Sequence, residues 1–324
     1  MRAITQDAYG PLEVLQLADL PRPVIAADEV LVEVVAAGLD RGTWHVMHGK
    51  PYLARLALGL RRPRARVPGL DLTGTVVEVG DSVTGWTVGD EVYGIGKGSF
   101  AEYAAADPAK LSRRPAGLSD EQAAVVPVSG LTAWQALTRA GHVEAGQQVL
   151  VTGASGGVGT YAVQIAVALG AEVTAVCSSG KADLVRSLGA AHVLDYATDD
   201  LAAGSRRYDV IVDIAGNTPL ARLRRVLSPR GTVVVVGGEG GGALAGGLGR
   251  PIWGALTSLF RKHKVVMFLA GEKGADLVPI TELIESGQVT PVVDTAYPLE
   301  KAADAMAHLV SGRARGKIAI SVRR

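Results

Sequence analysis

Two rhythms of apolar and polar positions divide the chain. Up to about residue 120, short β-type runs are separated by turn residues: VLVEVVAAG (30–38), LTGTVVEVG (72–80), DEVYGIG (90–96) and SFAEYAA (99–105). In the first run Val30, Val32 and Val34 alternate with Glu29, Leu31 and Glu33, a period of two that predicts a partly buried strand, although Leu31 blurs it. Pro21, Pro23, Pro51, Pro63 and Pro68 punctuate these runs as turns do. The pattern predicts a small β-rich domain.

Near residue 120 the rhythm changes. Ser119 with Gln122 three residues later has the form of a capping box, and it opens the helical stretch DEQAAVVPV, interrupted by Pro127. A second helical stretch, GLTAWQALTRAG, follows. Strand-like VLVT (149–152), EVTAV (172–176), HVLDY (192–196), YDVIVDIAG (208–216), VVVVGG (233–238) and VVMFLA (265–270) then alternate with helical GVGTYAVQIAVALG, KADLVRSLG and TPLARLRRVL. Strands apolar on both faces and spaced by helices predict βαβ units around a buried parallel sheet. Val158, Ala162, Ile165 and Leu169 fall on one helical stripe that suits packing on that sheet. The terminal KIAISV is expected to rejoin the first domain. The fold class is therefore α/β, with a β-rich domain at 1–121 and 273–324 and a doubly wound domain at 122–272.

Composition narrows the function. Lys and Arg number 33 against 32 Asp and Glu, so a net charge of +1 provides no field for nucleic acid or anionic lipid. A single cysteine permits neither an internal disulfide nor a thiolate cluster, which suits a reducing cytoplasm. The opening MRAITQDAYG lacks the apolar core of a signal peptide, and no apolar run reaches the length of a membrane span. The expected partner is a small molecule, not nucleic acid or a membrane.

The strongest chemical signal is GASGGVG (153–159), set between an apolar strand and an apolar-striped helix. Glycines there allow a tight turn and close approach of a pyrophosphate, while the helix N-terminus offers N–H groups and positive dipole to the anion. Ser155, Gly156, Gly157, Val158 and Gly159 form this candidate cofactor turn. A dinucleotide's ribose is read at the carboxyl end of the next strand, where the chain has Ser178, Ser179 and Lys181 and no acid within 177–181. Glu172 has the separation of an NAD-selecting carboxylate but stands at the opposite end of that strand. Hydroxyls and an ammonium suit a 2′-phosphate, so NADPH is expected over NADH.

Several segments in one order resemble the medium-chain dehydrogenase/reductase superfamily: DEVLVEVVAAGLD (28–40), VPGLDLTGTVVEVG (67–80), GDEVYGIGKGSFAEYAA (89–105), VSGLTAWQAL (128–137), LVTGASGGVG (150–159) and GTVVVVGG (231–238). The resemblance covers essentially the whole chain. It implies a GroES-like N-terminal domain, completed by the C-terminus, and a Rossmann domain. Zinc-dependent members would have Cys in place of Asp40 and a His-Glu pair in place of Leu70-Asp71. The chain therefore looks like the zinc-free quinone oxidoreductase branch, with no metal site. That implies NADPH-dependent hydride transfer to a quinone or an α,β-unsaturated carbonyl. An enoyl-thioester reductase and a non-catalytic NADPH-binding sensor or scaffold are the alternatives.

The resemblance also implies site residues. Thr132 matches a position whose hydroxyl lies near the nicotinamide and the acceptor. Asp40 stands where zinc-free relatives commonly have Asn, so it pairs with Arg41, stays protonated through burial, or has no catalytic part. His45 and Tyr52 follow in a segment that supplies pocket residues and proton donors. Tyr196, Gly216 and Gly237 should border the cofactor at strand ends, Phe268, Leu269 and Ala270 should hold its carboxamide, and Lys317 should approach it from the C-terminal segment. The glycine-rich 237–250 reads as a lid or a surface loop, and the run LARLALGLRRPRARVP (53–68) as a mouth for an anionic acceptor or as plain surface. VVMFLA, by analogy with relatives, is the expected edge of a homodimer.

Overall fold

A computed structural model describes residues 1–237 and 263–323. The chain forms two compact units, one of residues 1–131, 272–285 and 291–324, the other of 132–271 and 286–290. The division falls at Leu131/Thr132, inside a helix, ten residues beyond the change of rhythm in the sequence.

The first unit opens with β1 (Arg2–Thr5) and β2 (Gln16–Asp19), an antiparallel pair. Then come β3 (Val30–Leu39), α1 (Arg41–His48), α2 (Arg55–Leu58), β4 (Asp71–Val79), β5 (Glu91–Ile95), β6 (Tyr103–Ala106) and β7 (Leu111–Arg113). β3 pairs antiparallel with both β4 and β6, and Leu31 is as buried as its valine neighbours. The blurred alternation in its sequence thus reports a strand covered on both sides. SFAEYAA is a strand only from Tyr103.

α3 (Asp120–Ala124) begins with the capping box: Gln122 N–H donates to Ser119 Oγ at 3.2 Å, and Ser119 N–H to Gln122 Oε1 at 3.1 Å. Pro127 does not interrupt that helix. It opens a new one, α4 (Pro127–Gln135), at a position where a missing N–H costs nothing.

The second unit is built on β8 (Gln148–Thr152), α5 (Gly157–Ala168), β9 (Glu172–Cys177), α6 (Ala182–Ser187), β10 (His192–Asp195), β11 (Tyr208–Asp213), α7 (Leu220–Arg225), β12 (Leu227–Val235) and β13 (Lys264–Met267). All six strands pair in parallel in the order β10-β9-β8-β11-β12-β13. That is the doubly wound order, with its reversal between β8 and β11. β12 starts before its valine run because an irregular stretch precedes the regular pairing that resumes at Thr232. α5 is buried on more than one stripe, from Gly159 through Ala166.

The chain then returns through α8 (Leu277–Glu285), β14 (Val293–Pro298), α9 (Ala302–Val310) and β15 (Lys317–Ser321). β15 pairs antiparallel with β3, completing a seven-stranded sheet in the first unit as KIAISV foretold. Val30, Val32, Leu72, Ile318 and Ile320 lie in its core. The second unit's core includes Leu150, Ile211, Leu223 and Val233. Among the described residues, no helix is long and apolar enough to cross a membrane.

Candidate active site

In the second unit, the sequence-predicted cofactor residues gather at one edge. Strand registers align Thr152 with Val176 and Asp213, Asp213 with Val235, and Val235 with Met267. Gly153, Ser178, Tyr196, Gly216, Gly237 and Phe268 each follow one of those carboxyl ends within three residues. This is the edge at which open parallel sheets bind ligands.

The turn after β8 is built for close approach. Gly153 has φ +67°, a left-handed conformation that disfavours a side chain. A Cβ on Gly159 would stand 2.1 Å from the Gly153 carbonyl oxygen, so only glycine lets α5 sit against the strand end. Gly156 is the N-cap of α5 and supplies no capping side chain, leaving the first turn open to an anion. Gly156, Gly157 and Val158 are half-buried, whereas Ser155 is buried. The turn therefore fits a pyrophosphate held by backbone N–H groups. Gly237 is equally constrained, because its Cβ would fall 1.8 Å from the Ile214 carbonyl oxygen.

Beyond β9 a cavity of about 300 Å³ is lined by Cys177, Ser178, Ser179, Ala182, Asp183, Arg186, Val193, Asp195 and Asp199. Ser178 and Ser179 are therefore at a cavity, and Lys181 ends the short turn (Ser179–Lys181) beside it. The sequence window at 177–181 missed the acids, which arrive from the end of β10. Asp195 accepts N–H groups from Ser179 and Ala197, each at 2.9 Å, and these bonds hold its carboxyl below the usual range. Its oxygens are thus engaged in shaping the turn. Arg186, one helical turn into α6, adds a second cation that sequence reading passed over; it also pairs with Asp183 at 2.9 Å. Tyr196 is 71% exposed. Burial pushes the Cys177 thiol pKa up, so this lone cysteine is not an activated nucleophile. Glu172 is far from this work: it binds Gln148, His192 and Arg206 at the other strand end, which lowers its pKa to about 2.

Two further pairs support the edge. Thr152 Oγ1 donates to Asp213 Oδ1 at 2.7 Å and accepts from Ala215 N–H at 3.2 Å, tying β8 to β11 where the strand order reverses. Gln135, near the end of α4, holds Gly271 both ways: its Nε2 donates to the Gly271 carbonyl at 2.9 Å and its Oε1 accepts the Gly271 N–H at 2.8 Å. This fixes the segment after β13 that contains Phe268, Leu269 and Ala270. β13 itself stops at Met267, so these three residues follow the strand instead of ending it, and Leu269 is 93% exposed. An amide at the end of a largely apolar helix was the one sequence signal for Gln135. Thr132, one turn before it, is half-buried between buried Leu131 and Ala133. Of the glycine-rich 237–250, all but Gly237 lies outside the described residues.

In the first unit, Asp40 caps α1. Its Oδ1 accepts Thr43 N–H at 2.8 Å, and its Oδ2 lies 3.2 Å from the donating Thr43 hydroxyl. α1 carries His45, whose Nδ1 lies 3.1 Å from the Lys50 carbonyl and whose ring meets Trp44 edge-on. Tyr52 is half-exposed, with the Arg55 guanidinium 4.8 Å from its ring centre. In the 53–68 run, Arg62, Arg64 and Arg66 line a cavity of about 420 Å³ with Gln6, Asp7 and Pro63, and Arg66 pairs with Asp7 at 2.7 Å.

Lys317 is a correction. Inward-facing on β15, its side chain is only 2% exposed, and its Nζ donates to Asp71 Oδ2 at 3.1 Å. It offers no free cation to a cofactor. Asp71, fully buried, also accepts Val128 N–H at 2.7 Å. Burial raises its pKa to about 6 against the opposing pull of Lys317, with Asp40 adding to the rise.

Two family models match the chain, the second running from the second unit into the returning segments of the first. Residues 26–116 match the model of the alcohol dehydrogenase GroES-like domain, and residues 188–320 that of the zinc-binding dehydrogenase. The chloroplast envelope quinone oxidoreductase homolog of Arabidopsis thaliana is 34% identical over 99% of this chain and 98% of its own. The NADPH-dependent alkenal/one oxidoreductase, chloroplastic, of the same plant is 33% identical over 99% of this chain and 79% of its own. Among solved structures, the quinone oxidoreductase from Coxiella burnetii superposes with TM-score 0.88 at 29% identity, covering 100% of this chain and 99% of that one.

The zinc in the second model's name does not suit the donors here. Leu70 has no ligating atom, and Asp71 already holds an ammonium that would repel a divalent cation.

Proposed function

Because the chain belongs to the medium-chain dehydrogenase/reductase superfamily, in its quinone oxidoreductase-like branch, we propose that it is an NADPH-dependent, zinc-independent reductase of quinones or α,β-unsaturated carbonyls. The observation that carries this reading is the glycine-closed turn at Gly153–Gly159, open at the N-terminus of α5 on the ligand-binding edge of a parallel sheet. NADPH supplies the hydride when bound. The first turn of α5 holds the pyrophosphate, Ser178, Ser179 and Lys181 hold the 2′-phosphate with Arg186, and the segment fixed by Gln135 holds the carboxamide.

A quinone or enone places the charge that develops during reduction on a delocalised oxygen. Hydroxyl donors support that charge without a Lewis acid. Thr132 and Tyr52 are the donors we assign. Asp40 serves through α1, because both its oxygens are engaged with Thr43 and its cap orients the helix that carries His45. A homodimer through the β13 edge and a reducing, cytoplasmic compartment complete the reading.

The arginine-lined cavity at 62–66 supports a second reading, an enoyl-thioester reductase whose substrate carries phosphate. Steady-state NADPH oxidation against quinones, enones, enals and enoyl thioesters separates the two. Turnover of free quinones or enones supports the first, and turnover confined to thioesters replaces it with the second. Tight NADPH binding with no turnover on any acceptor would leave a sensor.

A further inference from the structure

α4 opens at Pro127. The residue before it, Val126, supplies only a carbonyl, which accepts the Gly130 N–H at 2.6 Å, and Pro127 has no N–H to offer. The first N–H of the helix, on Val128, is bound by the carboxylate of Asp71, 57 residues away on β4. A carboxylate at a helix N-terminus is favoured by the dipole as well as by the hydrogen bond.

Placing that carboxylate there has required two other concessions from the sequence. Gly38 on β3 lies between β4 and β15, and a Cβ on it would stand 2.8 Å from Asp71 Oδ2 and 2.5 Å from the Ala124 carbonyl oxygen. Lys317, reaching over from β15, neutralises the charge in a place that water does not enter. Such a pair is poorly explained by stability alone, since well-packed apolar residues commonly replace buried ion pairs without loss. What an apolar pair cannot do is accept the Val128 N–H.

We propose that the Asp71–Lys317 pair is a positioning device for turnover: Asp71 caps α4 from outside and so sets the turn carrying Thr132, while Lys317 keeps that cap ionised and in place. Thr132 follows Val128 by four residues, one turn along the same helix. The inference rests on the reading above, in which the Thr132 hydroxyl serves the reaction.

The test compares two double variants, each of which removes both charges so that neither partner is left alone. Asp71→Leu/Lys317→Met deletes the acceptor, and Asp71→Asn/Lys317→Gln keeps a side-chain oxygen for Val128. Both are measured for melting temperature, for kcat and KM with NADPH and a quinone, and for hydrogen exchange at the amides of residues 128–132. In the Leu/Met variant, kcat falls about 10- to 100-fold, as misplacement of a reacting group does. KM for NADPH stays within about threefold of wild type, a shift under 1 kcal/mol, and the Val128 amide exchanges faster. The Asn/Gln variant recovers most of kcat and of the protection. Wild-type kcat in a folded Leu/Met variant, or unchanged exchange at Val128, would overturn the proposal. Wild-type protein that binds NADPH but reduces no acceptor would sink the functional reading instead, and the exchange measurement would still decide the cap.

Discussion

The carboxyl edge of the parallel sheet and the Asp71–Lys317 cluster were assembled by the chain in opposite ways. The edge comes from local sequence: one strand, a four-residue turn at 153–156 and the glycine-rich start of one helix make the cradle proposed for the pyrophosphate. The cluster comes from residues 38, 71, 128 and 317, which share no motif and meet only through the pairing of three strands and a helix start laid against them. The difference teaches what kind of chemistry a sequence announces. A cradle made of backbone N–H groups needs glycines at fixed spacing, and spacing is visible. A buried charge needs only a partner, and the partner sits wherever the sheet brings it.

Removing one partner from the cluster should have the largest effect. Asp71→Leu alone strands the Lys317 ammonium in the core and should cost about 3–5 kcal/mol, read as a large drop in denaturant midpoint; adding Lys317→Met should recover most of it. If the single variant is as stable as the double one, the two residues are not energetically paired.

In the cradle, Gly159→Ala drives a Cβ into the Gly153 carbonyl, a backbone obstacle that cannot swing away. It should cost about 3 kcal/mol, the upper part of the overpacking range, and weaken NADPH binding by titration calorimetry. Unaltered affinity would mean that the turn is not the pyrophosphate site. Lys181→Ala should reduce the preference for NADPH over NADH by about 10- to 100-fold, the equivalent of one charge-assisted hydrogen bond at about 1.5–3 kcal/mol. An unchanged preference would shift the 2′-phosphate contact to Arg186. A smaller effect is expected at the capping box, where Ser119→Ala should cost about 1 kcal/mol of stability.

A pH series sharpens the comparison further. Asp71 titrates at about 6 in the fold, above its ordinary carboxyl value of 3.8. A carboxyl with a raised folded value contributes stability that is complete below about 4 and lost as pH rises through 6. Melting temperatures of the wild type should therefore fall relative to Asp71→Asn/Lys317→Gln as pH rises from 4 to 7. The groups facing Asp71 are Lys317, Asp40 and the Val128 amide, and the double variant removes the first of these together with Asp71 itself. Parallel profiles would contradict the assignment.

Legibility in the sequence follows the same physical line. The β-rich and βαβ halves, the strand order's consequences at Gly153–Gly159, Ser178 and Gly237, and the capping box at Ser119 were readable because each is local or periodic. Lys317 was expected near the cofactor through the resemblance of its segment, and its pairing with Asp71 became visible only with β15 laid beside β3. Asp195 and Arg186 were missed because the cavity beyond β9 takes its walls from two βα units. Gln135 was missed because its partner, Gly271, is 136 residues away.

The central claim is that this chain reduces conjugated acceptors with NADPH and without zinc. Steady-state NADPH oxidation with a quinone and an enal, on protein whose metal content has been measured and stripped by chelation, tests it most directly. The account predicts turnover that survives chelation, with NADPH preferred over NADH. Activity that tracks stoichiometric zinc, or NADPH binding without turnover of either acceptor, would contradict it.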